Sequence, residues 1–451
     1  MSRLLLGKGA MAPTPSNESE SAQSASPSRS DSGTASAHPK GSLNSPPKAP
    51  AICLWAIILF IVLEVARPAG ISNLKLQVLI SLGLPVILGF SRLRWWHPMM
   101  TVWVGILILC VIQIPVSYNN YAAYMFTRNA YAGIAIALSI AWALQDPRSL
   151  RLAITGWILS FSYVGIYGIT HGGRGPSGFT GDENDLALAC CTALPLAFFG
   201  FERLKGLIRW LAGTMTLVFV VAIVTSFSRG GFVGLAGAGL FCFYFSKFKG
   251  RNIALGLVAI LAFFVFAPQE YIDEIRSIQN TNKGTAETRQ FLWEAGFNMW
   301  KDNPIIGVGG GGSNFLIGRY QPVPDGDGYV SRDYSERSWA GSALHSFYVQ
   351  LLAEFGLAGV FLYGALAYLH FTGLARLRRD VAAVLPPRHP LRRETELLTG
   401  SFAGAMVGFL VPALFLSVVN YPYLWYIGGF GLAIQRTVRL QLAAESLTTD
   451  R

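Results

Sequence analysis

A succession of apolar runs of membrane-spanning length limits what this chain can fold into more than any other feature. A helix needs about 20 apolar residues to cross the ~30 Å hydrocarbon core of a bilayer. Inside that core each backbone amide must be hydrogen-bonded within the protein, so such runs fold as helices. With 52% hydrophobic and only 14% charged residues, the 451-residue chain is too apolar for a soluble domain. The sequence therefore predicts an all-α polytopic integral membrane protein.

About 12 transmembrane helices are predicted. The apolar runs lie at residues 51–66, 74–90, 99–116, 130–144, 152–170, 186–201, 207–224, 231–245, 253–267, 346–371, 397–419 and 421–434. Several runs are shorter than a full crossing, so their boundaries are approximate. The five cysteines fall within these runs without metal-ligand spacing and are interpreted as small core residues.

Two tails flank the membrane domain, which is predicted at residues 50–436. Residues 1–49 are dominated by Ser, Pro, Ala and Gly and show no apolar period, so a disordered tail is expected. Residues 437–451 are expected to form a second, short tail.

The distribution of positive charge tests the span count, because cytoplasmic loops of membrane proteins are enriched in Lys and Arg. With both termini in the cytoplasm, 24 of the 36 Lys and Arg residues fall in the tails and inner loops. Seven of the other 12 lie in one long outer loop at residues 267–344, before the third-last helix. Every inner loop is basic, which supports this orientation and explains the net charge of +11 without nucleic acid as a partner.

Two arginines on the outer side are candidates for binding an anion. Arg229 lies in the sequence SRGG, where Gly230 and Gly231 allow a tight turn and a close approach. It either snorkels to the membrane interface or presents its guanidinium to a phosphate. Arg289 lies in a predicted amphipathic helix capped by Thr285, where an anion would meet the guanidinium and the positive end of the helix. The alternative for Arg289 is an exposed surface arginine.

His345 is the candidate base, at the outer start of a long apolar helix. Of six histidines, only His171 and His345 lie on the predicted outer side. Imidazole removes a proton near neutral pH, although a histidine at this depth is often only hydrogen-bonded. Glu354 lies about 13 Å deeper in the same helix and is predicted to be a buried structural carboxylate.

Two polar motifs accompany these candidates. The sequence GDENDLALA places Asp182 and Asn184 at the start of a helix, where capping is expected and the spacing is not diagnostic of a metal site. The glycine-rich run at residues 307–312 contains GxGxxG, but no strand precedes it. We therefore expect a flexible loop over the site rather than a nucleotide-binding turn.

The ordered set of these segments resembles the O-antigen ligase and polymerase superfamily of membrane glycosyltransferases. The segments are GDENDLALA, SRGG, ETRQFLWEAGFNMWKDNPIIGVGGGGSNF and HSFYVQLLAEFGLAG. The resemblance implies a multi-pass enzyme of the bacterial inner membrane, with a ligase-like core at residues 181–364 and a periplasmic loop at residues 267–344.

The resemblance also implies the reaction and its residues. Such enzymes transfer a glycan from undecaprenyl diphosphate to an acceptor hydroxyl at the periplasmic face, in lipopolysaccharide or surface polysaccharide biosynthesis. By motif, Arg229, Arg289 and His345 correspond to the family's essential residues. The arginines would stabilise the departing diphosphate without a metal ion or cofactor, and His345 would take the acceptor proton, with inversion. Further substrate-binding candidates are Arg128, Arg319, Asp182 and Asn184.

Several alternatives remain open. The acceptor is a lipid A core in a ligase and another lipid-linked repeat in a polymerase, and membrane lipids surround the enzyme in both. A protein O-oligosaccharyltransferase belongs to the same class. The competing class is a polysaccharide or lipid-linked sugar transporter. It predicts ionisable residues midway through several spans and an internal repeat, and neither is clear in this sequence.

Overall fold

The computed structural model of the protein describes residues 49–67, 76–176, 178–256, 285–322 and 341–449. The predicted disordered tail, apart from residue 49, lies outside these ranges. So do most of the predicted span at residues 253–267 and two parts of the predicted long loop, residues 267–284 and 323–340.

Thirteen α-helices have both ends within the described ranges. They are α1 (Ala51–Ile61), α2 (Leu76–Gly89), α3 (Pro98–Val116), α4 (Asn120–Ala143), α5 (Pro147–Thr170), α6 (Glu183–Arg203), α7 (Gly206–Thr225), α8 (Arg229–Phe245), α9 (Thr285–Asp302), α10 (Ser313–Tyr320), α11 (Phe347–Val384), α12 (Pro390–Leu410) and α13 (Tyr423–Thr449). A π-helical turn, Val62–Ala66, continues α1, and short 3-10 turns form at Gly178–Thr180 and Pro412–Phe415.

Six helical segments within the described ranges are long and apolar enough to cross a membrane. They are α3, α5, α6, α7, α11, and α12 together with the 3-10 turn after it. Three shorter apolar segments, Ala51–Ala66, Leu76–Gly89 and Arg229–Phe245, accompany them. The protein is therefore a helical membrane protein, as predicted, while the count of about 12 spans stays a prediction.

Local sequence signals move three predicted boundaries. Helix α4 begins ten residues before the predicted span, because the Asn119 side chain accepts a hydrogen bond from Ala122 N at 3.0 Å and caps the helix. The predicted span at residues 397–419 is α-helical only to Leu410, since Pro412 has no backbone N–H to continue the hydrogen bonds of α12. The predicted tail at residues 437–451 is helical as far as Thr449.

Helix α6 lies at the centre of the bundle, and 78% of its most apolar stretch is buried inside the protein. It packs against α5, α7, α8 and α12. Small residues permit this packing: a Cβ on Gly408 of α12 would lie 2.1 Å from the carbonyl oxygen of Cys191 in α6. The central position of α6 fixes its first turn, which carries Asn184, against the helices around it.

Helix α11 is broken at Gly356, which has φ 58° and ψ −157°. The freed amides of Leu357 and Ala358 donate to the carbonyls of Pro304 and Ile305, at 2.9 and 3.0 Å. In the opposite direction, Val308 N donates to the carbonyl of Ala353 at 2.9 Å. The chain before the glycine-rich run thus completes the hydrogen bonds of a broken helix, as irregular backbone at membrane depth requires.

The glycine-rich run at residues 307–312 is held in place, and the expectation of a flexible loop over the site is wrong. Gln113 of α3 donates to the carbonyls of Ile306 and Glu354, at 2.6 and 2.7 Å, and accepts from Gly310 N. The Glu354 side chain is fully buried and accepts from the Ser313 hydroxyl at 2.6 Å. Glu354 is therefore a buried structural carboxylate, as predicted, and it anchors the start of α10.

The helices bring charged side chains together at two opposite ends of the bundle. We call them the His345 end, which holds the starts of α6, α8 and α11, and the Glu396 end, which holds the starts of α5, α7 and α12. The residues predicted to act in chemistry lie at the His345 end.

Candidate functional site

The site is organised around the connecting turn, residues 412–417, which joins the end of α12 to the approach to α13. Three elements contact it. The guanidinium carbon of Arg289 lies 5.5 Å from the centre of the Phe415 ring. His345 N donates to the Ser417 hydroxyl at 2.9 Å. A Cβ on Gly230 would lie 3.1 Å from Cβ of Phe415, so the start of α8 packs on the same ring.

Helix α8 starts at Arg229, and two neighbours fix that start. The Ser228 hydroxyl caps the helix by accepting from Gly231 N at 2.9 Å. It also donates to Oδ1 of Asn184, in the first turn of α6, at 2.7 Å. The glycine matters here, because a Cβ on Gly231 would lie 2.5 Å from Cβ of Ala187. The sequence SRGG therefore places the half-buried Arg229 at a position defined by α6.

Arg289 is held by an amphipathic helix, as its sequence predicted. Leu292, Ala295 and Met299 of α9 are at most 1% exposed and pack in an apolar cluster with Leu344. Helix α9 begins at Thr285, so Arg289 lies in its second turn. The cap predicted at Thr285 lies outside the described side chains. Packing of α9 beside Leu344 brings Arg289 close to the start of α11.

Arg289 and Arg229 lie close enough to affect each other. The pKa of Arg289 is lowered, first by its burial and then by the positive charge of Arg229. Two guanidinium groups held near each other repel, and an anion that reaches both would relieve that repulsion. Arg229 is also the first residue of a helix, where the dipole favours negative rather than positive charge. The arrangement therefore suits a bound anion.

His345 adopts a strained backbone conformation directly before α11. Its φ is 50°, which L-residues other than asparagine, aspartate and histidine seldom adopt. Ser346 caps the helix by accepting from Val349 N, and Ser417 accepts from His345 N. The described non-glycine residues with positive φ are Arg67, Phe227 and His345, all at the His345 end.

The imidazole of His345 is open to solvent, but nearby protein atoms and charges change its affinity for a proton. Its pKa is lowered below the ordinary histidine value, first by desolvation and then by the positive charge of Arg289. The carboxylate of Asp182 opposes this shift. His345 is therefore neutral near pH 7, the state in which an imidazole accepts a proton.

Asp182 and Asn184 use their side chains to hold the starts of α6 and α8. Asp182 caps α6 by accepting from Asn184 N at 2.8 Å and from the Asn184 side chain at 3.0 Å. The capping expected for GDENDLALA is thus confirmed. The third acidic residue of the motif, Asp185, accepts from the Tyr421 hydroxyl, and burial and this carboxylate raise the pKa of Tyr421. The described residues contain no group of three or more His, Cys, Asp and Glu side chains placed to hold a metal.

Two predicted substrate-binding residues have no described contact with this group. Arg128 lies on the exposed side of α4, where its guanidinium donates to Asn129 at 3.5 Å. Arg319 is exposed near the end of α10, over the ring of Tyr320 at 5.8 Å. Whether either contacts substrate stays a prediction. The structure brings Arg229, Arg289, His345, Asp182 and Asn184 into one site.

Sequence reasoning missed three residues that organise the site: Ser228, Phe415 and Ser417. Ser228 had a usable signal, because a serine directly before a helix start is a common cap. Phe415 and Ser417 were hidden inside the predicted span at residues 397–419. Pro412 within that run marked the helix end and was the signal that could have revealed them.

A comparison with known protein families matches the part of the chain that holds these residues. The model of the O-antigen ligase family matches residues 214–364, from α7 to the middle of α11. The matched segment contains Arg229, Arg289 and His345. No curated protein matches the chain. The resemblance to the O-antigen ligase superfamily is thus confirmed through this segment, which supports a membrane glycosyltransferase-like enzyme of the ligase or polymerase type.

Proposed function

Because residues 214–364 match the O-antigen ligase family, we propose that this protein transfers a glycan from a polyprenyl diphosphate carrier, undecaprenyl diphosphate, to an acceptor hydroxyl. The observation that carries the proposal is the convergence of Arg289, Arg229 and His345 around the connecting turn. A pair of cations next to a neutral imidazole suits a reaction in which a diphosphate leaves and a hydroxyl proton is removed.

In the proposed reaction the acceptor oxygen attacks the anomeric carbon of the donor glycan. The new bond forms from the acceptor oxygen to that carbon, while the bond from the carbon to the diphosphate oxygen breaks with inversion. The leaving oxygen keeps the electron pair, and Arg229 and Arg289 stabilise its charge. His345 takes the proton from the acceptor hydroxyl. All the energy comes from the sugar diphosphate bond, so no nucleotide is required at this site.

The position of the site supports a membrane-bound donor. Arg229 is the first residue of the apolar helix α8 and His345 lies just before the apolar helix α11, so both lie near the level of a lipid headgroup. A polyprenyl chain would remain in the bilayer while its diphosphate reaches the arginines. We propose that this end faces the periplasm and that both termini are cytoplasmic, in the inner membrane.

The test is transfer by purified protein in proteoliposomes that contain undecaprenyl diphosphate-linked glycan. One set of proteoliposomes also receives lipid A core as an acceptor. In the other set, the donor glycan is the only acceptor. Transfer to the core indicates a ligase, and elongation of the donor glycan indicates a polymerase. A donor on a monophosphate carrier is the control and should react poorly. Full transfer by a protein carrying both Arg289→Ala and His345→Ala would rule out the proposed chemistry.

A further inference from the structure

A groove at the Glu396 end lies far from the proposed reaction. Helices α5 and α7 touch near the other end, where a Cβ on Gly165 would lie 3.1 Å from Val218. Towards the Glu396 end a cavity of about 650 Å³ lies between them, with α6 and α12 as its floor. The volume is sufficient for a stretch of hydrocarbon chain.

The walls of the groove are apolar and face the side of the bundle. Ile158 and Leu159 of α5 lie on one side, Ile208 and Leu211 of α7 lie on the other, and Phe402 of α12 contributes to the floor. Leu159, Ile208 and Leu211 are each at least 50% exposed, which suits contact with lipid rather than water. The occupant should therefore be a hydrocarbon chain that enters sideways from the bilayer.

Charged side chains surround the polar end of the groove: Arg151, Arg203, Arg393 and Glu394. Arg151 makes two hydrogen bonds to Glu394, at 2.7 and 2.9 Å, and Arg203 binds Glu396 at 2.9 Å. Arg393 is exposed and forms no ion pair with any residue that the structure describes. Since Arg151 and Arg203 are each paired with a glutamate, Arg393 supplies the excess positive charge where a hydrocarbon chain would meet its headgroup.

We propose that this groove binds one anionic phospholipid of the membrane. Its acyl chain lies between α5 and α7, and its phosphate lies on Arg393 beside Arg151. Basic pockets between transmembrane helices bind anionic headgroups because each nearby arginine attracts the phosphate. A zwitterionic lipid would offer the same chain but no net charge, so charge selects the occupant. This site is separate from the donor site, which lies at the other end of the bundle.

Native mass spectrometry of the purified full-length protein with added phosphatidylglycerol or phosphatidylcholine tests the proposal. The wild-type protein should retain phosphatidylglycerol in preference to phosphatidylcholine. Arg393→Gln should weaken phosphatidylglycerol binding about fivefold, the contribution expected of one arginine near a headgroup. Arg148→Gln is the matched control, since Arg148 is an exposed arginine of α5 that does not line the groove, and it should bind like wild type.

A second pair of variants tests the chain. Thr155 and Thr214 are both exposed threonines whose hydroxyls donate to the carbonyl four residues earlier, at 2.8 and 3.1 Å. Only Thr155 lines the groove. Thr155→Trp should displace the bound lipid, whereas Thr214→Trp should not. Equal retention of the two lipids by wild type, or unchanged binding in Thr155→Trp, would overturn the proposal. So would a dimer that dissociates only in Thr155→Trp, since the groove would then bind a second copy.

Discussion

At the Glu396 end, positive side chains meet carboxylates, whereas at the site of the His345 end two arginines lie near each other. Glu396 accepts from Arg203, Lys247 and Arg392 at 2.9, 2.7 and 3.4 Å. At the other end Arg289 lies over a phenyl ring, and its pKa is lowered first by burial and then by the charge of Arg229. The ion pairs of Glu396 connect neighbouring helices, while two like charges held close together suit a ligand of opposite charge.

The His345 end also contains structural ion pairs. Arg174 binds Glu183 at 2.7 Å, and Arg67 lies 3.6 Å from Glu64. Neither pair has a described contact with Arg289. The contrast is therefore between particular clusters rather than whole surfaces, and substitutions in each cluster should affect different properties.

The largest effect is expected for His345→Gln, which removes the proposed base. The rate of transfer should fall by about 10²–10⁴-fold, the usual contribution of a general base, with little change in thermal stability. The proteoliposome assay and a melting curve measure the two properties. His171→Gln is the matched control, because His171 is an exposed histidine at the same end, stacked on Tyr167. A similar loss in both variants would contradict the assignment.

Arg289→Gln should lower the rate by about 10²–10³-fold, since it removes a donor proposed to stabilise the leaving group. It should also move the acid limb of the kcat/KM profile to higher pH, because the charge that lowers the His345 pKa is gone. Arg289→Lys should keep the limb near its original position, since the charge remains. Lys301→Gln, in the same helix, is the control. A limb that moves to lower pH in Arg289→Gln would contradict the geometry.

Glu396→Gln tests the other side of the comparison. Three cations would lose their shared carboxylate, and Arg203 is only 9% exposed, so the free energy of unfolding should fall by about 2 kcal/mol. Transfer per folded molecule should not change. Glu394→Gln breaks a more exposed pair and should cost under ~1 kcal/mol. Chemical denaturation of the two variants in the same detergent measures both free energies of unfolding. A larger decrease in Glu394→Gln than in Glu396→Gln would contradict the idea that burial makes the Glu396 pairs more stabilising.

Ser228→Ala should affect both the stability of the protein and the rate of transfer. It removes the cap of α8 and the bond to Asn184, so stability should fall by about 1 kcal/mol and transfer several-fold as Arg229 loses its support. Ser228→Thr keeps a hydroxyl and should restore most of both. Melting temperature and transfer rate are measured on the same preparations. A stability loss with full transfer would mean that this hydrogen bond does not position Arg229.

The smallest effect is expected for Asp182→Asn. Asparagine also caps a helix, so the start of α6 should persist. Loss of the carboxylate removes the charge that raises the His345 pKa, and the acid limb of kcat/KM should move to lower pH. Glu183→Gln is the control, because Glu183 pairs with Arg174. A shift of the limb to higher pH would reverse the inferred sign.

Features that depend on nearby residues were predictable from the sequence. The apolar period of α9 and the cap at Asp182 depend on residues within one or two turns of each other. The grouping of Arg229, Arg289 and His345 was inferred from charge and resemblance. The bond between Ser228 and Asn184 and the contact of Arg289 with Phe415 connect distant parts of the chain, and no local pattern encodes such pairs.

The docked glycine-rich run is the clearest case of structure that the sequence did not reveal. Glycine repeats indicate backbone freedom, so a flexible loop was the natural prediction. The outcome depends on Gln113, which lies almost two hundred residues earlier and reaches both the run and the break in α11. Glycines that are flexible in the unfolded chain can still hold a fixed position in the folded protein, because close approach to another backbone also requires glycine.

The break at Gly356 has a consequence for how the protein is assembled. While α11 is broken at Gly356, an undocked chain at Pro304 and Ile305 would leave the amides of Leu357 and Ala358 without acceptors in the bilayer, at a cost of several kcal/mol for each group. That cost is removed only when the chain at Pro304 and Ile305 has docked. The same stretch directly follows α9, which carries Arg289. Docking of this stretch therefore both satisfies the amides of α11 and brings Arg289 near His345. A chain that fails to dock there would lose both.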